Sequence, residues 1–255
     1  MDGLLAGLPP IGPLLGVAAA ALAGGVSRGF SGFGAALVFV PLASAAAGPQ
    51  AAVPVLALME CVACLVFLPS AWRHAVRREV AVMSVGAICA VPLGAMILAA
   101  SDPVALRWAM VGLVLLAVAV LASGLRYRGA GSVPLTIGVG AAGGLMSGTA
   151  MLGGVPPAVF WLGRDAPAVV VRANMNLYFA ILTVAVTAAF AWRGLIGPDS
   201  AWFALAAAPA YGAGLWAGAW LFGRASEATF RIAGIGIILA AAVLGLPLWD
   251  GLTGR

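Results

Sequence analysis

Ten apolar segments, separated by short connectors, account for most of the chain. They lie at about 10–27, 31–47, 51–71, 80–100, 104–124, 133–147, 150–163, 168–191, 201–222 and 228–248. Because they are uniformly apolar and lack the period of two that barrel strands show, they predict helices. A spanning helix needs about 20 residues. The last three segments of each half therefore predict spans, and the shorter first two predict tilted helices or a re-entrant pair.

Two glycine-rich stretches interrupt this pattern at matching places. A shift of 116 residues lays the first, Gly24 to Pro41, on the second, Gly140 to Pro157, and a shift of 124 lays Gly94 on Gly218. Paired broken segments in two halves are typical of transporters built from inverted repeats, whose substrate binds near the breaks. We predict an all-α polytopic membrane protein with about 8–10 transmembrane or re-entrant helices, broken where glycine is abundant. Its expected organisation is one integral domain, 1–255, with inverted repeats 1–128 and 129–255.

Composition supports a lipid environment. Charged residues make up 8% of the chain and hydrophobic residues 64%, whereas soluble domains carry roughly 25% charged residues. The net charge of +5 comes from arginines that mostly lie between apolar segments. This placement indicates membrane topology and no nucleic-acid partner. The densest basic cluster, Arg73-His74 with Arg77-Arg78, is expected in the cytoplasm. When the predicted membrane crossings are counted from this cytoplasmic cluster, both termini are expected on the extracytoplasmic side.

The breaks carry the chemistry that an anion would need. A helix that begins near Ser31-Gly32 or near Ser147-Gly148 would present free backbone N–H groups and the positive end of its dipole. Such helix starts bind small anions. Alternatively, the small residues serve only close helix packing. The candidate substrate-binding groups at the breaks are those of Ser27, Ser31, Gly32, Ser147, Gly148 and Thr149.

Two arginines are further candidates. Arg28 lies in the first break, where its guanidinium would bind an oxyanion through two parallel hydrogen bonds or would simply mark the cytoplasmic end of a helix. Arg172 and Asn176 share a helix face through their i, i+4 spacing. That face would line the substrate cavity, or Arg172 would extend to the cytoplasmic surface. Asn174 lies on a different face and is the weaker candidate.

Glu60 is the candidate coupling residue, because it lies midway along an apolar segment. A carboxylate there predicts a proton relay, a cation ligand, a partner for Arg28 or a hydrogen bond between helices. Cys61 and Cys64 have redox-pair spacing, but on a buried helix they indicate small packed side chains. His74 is the single histidine of the chain, and a lone histidine makes a poor metal site. We therefore predict neither a metal site nor a cofactor.

The first break also contains a motif that one class of membrane enzymes shares. Gly29-Phe30-Ser31-Gly32 matches the G-x-S-G motif of rhomboid intramembrane proteases, and that chemistry needs a histidine base. The single histidine, His74, lies in a predicted loop, and the Ser-Gly pair recurs at Ser147-Gly148. We therefore predict no catalytic residues and no enzyme activity.

Together these residues resemble the sulfite exporter TauE/SafE family of membrane permeases. The resemblance rests on the paired breaks, the Trp72-Arg73-His74 turn, and the segments that contain Gly94 and Gly218. It implies a secondary transporter that moves a small sulfur-containing anion, sulfite or an organosulfonate, across the bacterial inner membrane by alternating access, with possible proton coupling. The alternatives are a cation or metal permease and a membrane subunit that transports nothing itself.

Overall fold

A computed structural model describes residues 11–32, 34–123, 129, 131–163, 166–222 and 227–249. Within these ranges all regular secondary structure is helical, which confirms the all-α prediction. The ten α-helices of the described residues are α1 Ile11–Ser31, α2 Ala35–Ala47, α3 Pro49–His74, α4 Arg77–Ala100, α5 Pro103–Ala122, α6 Val133–Ala150, α7 Val155–Leu162, α8 Ala168–Trp192, α9 Pro198–Phe222 and α10 Glu227–Leu244. A 3₁₀ turn at Pro247–Trp249 follows α10.

Six helices in the described part of the chain are long and apolar enough to cross a membrane. They are α1, α3, α4, α5, α6 and α8. The prediction that the first segment of each half is short is wrong, because α1 has 21 residues and α6 has 18. The second segments are short, with 13 residues in α2 and 8 in α7. The protein is thus a multi-pass membrane protein.

Both glycine-rich stretches are mostly helical, which corrects the extent of the predicted breaks. Helix α1 continues through Gly24 and Gly29 to Ser31, and α6 continues through Gly140 to Ala150. The interruptions are confined to the residues between α1 and α2 and between α6 and α7. In lipid, backbone groups must find hydrogen bonds inside the protein. Glycines in a spanning segment therefore stay helical where a neighbouring helix packs closely against them.

The helices form two compact units, and the first contains α1, α2, residues 49–56 of α3, residues 103–118 of α5, α9 and α10. In this unit α1 packs along α9, and α2 packs against α1 and α10. Arg107 of α5 is buried, and its Nη2 donates a hydrogen bond to the carbonyl oxygen of Gly245 at 3.1 Å. Because helix ends leave carbonyls unpaired, this bond fixes the end of α10 to α5.

The second unit contains residues 57–74 of α3 together with α4, α6, α7 and α8. Helix α4 packs along α6 and against α8, and α7 packs against α6 and α8. Trp161 of α7 is 1% exposed, and its indole N–H donates to a carboxylate oxygen of Glu79 at 3.1 Å. Helix α7 is thereby fixed to the start of α4.

Close backbone contact holds α1 in the first unit and α6 in the second. A Cβ atom on Gly29 of α1 would overlap the backbone of α9 at Leu215. One on Gly148 of α6 would overlap the backbone of α4 at Val91. These two glycines are 119 residues apart in the sequence. Each helix can approach its neighbour only because no side chain separates them.

The ends of α1 and α6 are built in the same way. Each is followed by a residue in the left-handed region, Gly32 with φ 84° and Met151 with φ 58°. The Gly32 N–H donates to the Arg28 carbonyl at 2.8 Å, and the Met151 N–H donates to the Ser147 carbonyl at 2.9 Å. The offset is again 119 residues instead of the predicted 116, so Ser147 occupies the position of Arg28. The inverted orientation of the two repeats stays a prediction.

Candidate functional site

Arg28 is the principal charged group at the first break. It lies in the last turn of α1 and is 2% exposed. Its Nη1 donates a hydrogen bond to the carbonyl oxygen of Gly32. Gly32 adopts a positive φ, which glycine accommodates without strain. The turn that ends α1 therefore sets the position of a permanently charged guanidinium inside the protein.

The other candidates of the first break lie along the same turn. Ser27 is half-buried and precedes Arg28 directly. Ser31 is the last residue of α1, and its side chain lies outside what the structure describes. The structure thus brings Arg28 and Gly32 into direct contact within the first unit.

The helix starts lie elsewhere than the sequence suggested. Ser31-Gly32 stands at the end of α1, and Ser147-Gly148 lies in the last turns of α6, so neither pair begins a helix. The helices that do begin at the breaks start at Ala35 and Val155. No side chain caps either start. The prediction that the two Ser-Gly pairs offer N-terminal N–H donors is wrong, because Ser31, Ser147 and Gly148 are helical and the Gly32 N–H already donates to the Arg28 carbonyl.

Ser147 and Thr149 differ at the second break. Ser147 is 3% exposed, and a Cβ atom on Gly153 would overlap its Oγ. The Thr149 hydroxyl lies 2.9 Å from the carbonyl of Leu145 and 3.4 Å from that of Gly94. The single hydroxyl proton of Thr149 is thus shared between backbone acceptors. Gly148 lies in the close backbone contact between α6 and α4.

Tyr178 of α8 was missed by the sequence reasoning. It is fully buried, and its Oη has no hydrogen-bond partner among the described residues. A Cβ atom on Gly143 would meet both this Oη and, at 2.9 Å, the carbonyl oxygen of Gly153. Ser147 thus lies beside Gly153 and Tyr178 beside Gly143, and these two glycines are in contact. We call this group the second-break cluster. A lone tyrosine within an apolar segment was the available signal, since buried phenols normally have a partner.

Glu60 is 6% exposed on α3, in the second unit. One turn further, the Cys64 thiol lies 3.8 Å from the Thr183 hydroxyl, and the Cys61 thiol lies 3.4 Å from that of Thr187. Both cysteines are free thiols. They contact threonines of α8, which agrees with their interpretation as packed side chains. Glu60 thus belongs to a buried stretch of α3 beside α8.

The family follows from comparison with known proteins. The profile of the family described as sulfite exporter TauE/SafE matches residues 17–244, which include both breaks and every candidate residue above. The chain belongs to the sulfite exporter TauE/SafE family. No curated protein and no solved structure matches it. As a TauE/SafE protein it is a membrane transporter with several apolar helices.

In this TauE/SafE transporter, α8 carries the two remaining candidates of the second unit. Arg172 and Asn176 are both half-buried. Asn174 is the more buried residue, at 3% exposure, and its Oδ1 accepts a hydrogen bond from the Val76 N–H at 2.7 Å. Val76 precedes α4, so this bond fixes the turn between α3 and α4 to α8. Asn174 thus stabilises the turn between α3 and α4, a role that the sequence pattern did not predict.

We expect Asn174→Ala to lower the free energy of unfolding by about 1 kcal/mol, because the hydrogen bond from the Val76 N–H of the turn to α8 is lost. Thermal unfolding of purified protein in detergent measures this loss. The matched variant Asn176→Ala is expected to leave the unfolding midpoint nearly unchanged and to lower substrate flux. Asn174→Ala without any loss of stability would contradict the structural assignment.

Proposed function

We propose that this TauE/SafE transporter is a secondary carrier for a small sulfur-containing anion, of the sulfite or organosulfonate type, in the bacterial inner membrane. The observation that carries the proposal is Arg28, a permanent positive charge buried at the end of a membrane-spanning helix. Ionisable groups inside membrane proteins are costly and mark substrate pathways. Both termini would lie outside, as the arginine distribution predicts.

The guanidinium suits an oxyanion for geometric reasons. Its N–H groups form a rigid planar fork that matches pairs of oxygen atoms on sulfite, sulfonate or phosphate. One Nη is directed at the Gly32 carbonyl, which fixes the orientation of the plane. Ser27, Ser31 and Gly32 would add polar groups along the same turn. We therefore assign the first break as the charged anion contact of the carrier.

The second break would offer neutral donors. Ser147 occupies the position of Arg28, and Tyr178 adds a hydroxyl without a partner among the described residues. Arg172 and Asn176 lie on the same helix as Tyr178. Alternating access between inverted repeats 1–128 and 129–255 would expose bound anion to each side in turn. The shared architecture of the two helix ends supports the repeat.

Tyr178→Phe separates a binding role from a structural one. Removing a buried hydroxyl without a partner costs no hydrogen bond and relieves its desolvation. We expect an unchanged or raised unfolding midpoint together with about a tenfold lower sulfite flux. Ser147→Ala is also expected to lower sulfite flux. Full flux in both variants would remove the second-break cluster from the proposed site.

Sulfite flux into proteoliposomes of purified protein tests the function. We expect saturable uptake that excess sulfonate inhibits and chloride does not. Uptake that follows an added cation and ignores sulfite would favour the cation or metal permease. No flux of any anion or cation from folded protein would favour a subunit without transport of its own.

Glu60 is the proposed proton-coupling residue, and Glu60→Gln removes its ability to exchange a proton. We expect wild-type flux to increase with an imposed pH gradient and the Glu60→Gln flux to be independent of it. Glu79→Gln is the matched control, because its carboxylate already accepts the Trp161 indole N–H. Equal pH dependence in wild type and Glu60→Gln would exclude Glu60 as the coupling site.

A further inference from the structure

A cavity of about 480 Å³ opens in the second unit where α4, α6, α7 and α8 meet. It lies at the end of these helices that contains the turn between α3 and α4, whereas the second break follows the end of α6. Valine side chains and the ring of Trp161 form most of its wall. Its polar lining includes Arg78, Glu79 and Asn174. The proposed transport function uses none of these groups as an anion ligand.

Basic side chains lie at this end of the second unit. Arg78 lines it, and Arg73, His74 and Arg77 are exposed on the same turn. The Arg77 guanidinium lies 5.3 Å from the ring centre of Trp72, which is 56% exposed. Tryptophan with arginine at the end of a spanning helix is typical of the headgroup level of a bilayer. The mouth of the cavity is therefore basic and lies where lipid headgroups are found.

Size and chemistry favour an amphiphile over a free oxyanion. A volume of about 480 Å³ lies within the range of about 300–1,000 Å³ that larger organic ligands occupy. The apolar wall suits hydrocarbon, and the Glu79 carboxylate would repel a small dianion inside the cavity. Basic pockets among spanning helices bind anionic headgroups.

We propose that this cavity binds one anionic glycerophospholipid. Arg78 contacts the headgroup phosphate, and the glycerol and the start of an acyl chain lie against Val133 and Trp161. The lipid would link α4, α6 and α7 at the basic end of the second unit. This site is separate from the proposed anion contacts, so either proposal can fail without the other.

Thermal unfolding of the full chain in detergent, with added phosphatidylglycerol or phosphatidylcholine, tests the site. We expect phosphatidylglycerol to raise the wild-type midpoint by about 5 °C relative to phosphatidylcholine. Arg78→Gln should lose most of this rise. Arg193→Gln is the matched control, because Arg193 is likewise an exposed arginine at a helix end, yet it lines no part of this cavity. Phosphatidylglycerol should still raise the unfolding midpoint of Arg193→Gln.

A second variant tests the cavity itself. Val133 is 54% exposed and lines the cavity, so Val133→Trp would fill space without burying a new charge. We expect it to reduce the phosphatidylglycerol effect although Arg78 remains. A full effect in Val133→Trp, or an equal loss in Arg193→Gln, would show nonspecific surface attraction and overturn the proposal. The proposal would also be overturned if glycerol 3-phosphate or inorganic phosphate raised the unfolding midpoint equally. The same holds if phosphatidylglycerol raised the midpoint no more than phosphatidylcholine does.

Discussion

Arg28→Gln is expected to lower sulfite flux about 10- to 100-fold in proteoliposomes of equal protein content. A hydrogen bond to a charged group contributes about 1.5–3 kcal/mol, and each 1.4 kcal/mol is about tenfold in affinity. The buried guanidinium of Arg28 is the charge that we assign to the anion. Arg28→Lys keeps the charge and loses the planar fork, so its flux should lie between those of wild type and Arg28→Gln.

The matched control is Arg107→Gln. Arg107 lies in the same unit, is also buried and also donates to a backbone carbonyl, that of Gly245. Both substitutions therefore remove a buried bond from guanidinium to carbonyl, and both should lower the unfolding midpoint. Only Arg28→Gln should lower the flux per folded molecule. If Arg107→Gln reduces flux as strongly as Arg28→Gln, the role of Arg28 is structural and the proposed anion contact is wrong.

Gly140→Ala and Gly138→Ala are expected to have opposite effects on stability, although the two positions are two residues apart on α6. A Cβ atom at Gly140 would overlap the Met83 carbonyl of α4, whereas one at Gly138 meets nothing within 4 Å. Because the obstacle is backbone, the two helices must separate. We expect Gly140→Ala to cost about 3 kcal/mol, the upper end for overpacked interiors.

Gly138→Ala should stabilise α6 by about 0.5–1 kcal/mol, because glycine in a helix costs that much relative to alanine. Thermal unfolding in detergent with size-exclusion detection measures both variants against wild type. The comparison keeps residue type, helix and substitution constant and changes only the packing. A Gly140→Ala protein with the wild-type midpoint would contradict the close α4–α6 contact.

Only part of the candidate site could be predicted from the sequence. Arg28 and Glu60 were found because charge is rare in apolar segments, and both are buried. The helix starts were misplaced because glycine is a poor helix former in water, while a spanning segment must keep its backbone bonds internal. Tyr178 was missed because its significance depends on its neighbour Gly143, which lies far from it in sequence.

The sequence by itself determined the membrane setting, the helical class, the approximate segments and the family resemblance, since these follow from local apolarity and from short motifs. The tertiary structure decided the offset of 119 residues, the pairing of Ser147 with Arg28, and the bond from Asn174 to Val76. These features depend on contacts between helices. Which glycine is crowded and which hydroxyl lacks a partner depends on residues of another helix, and sequence pattern reports only on a residue's own helix.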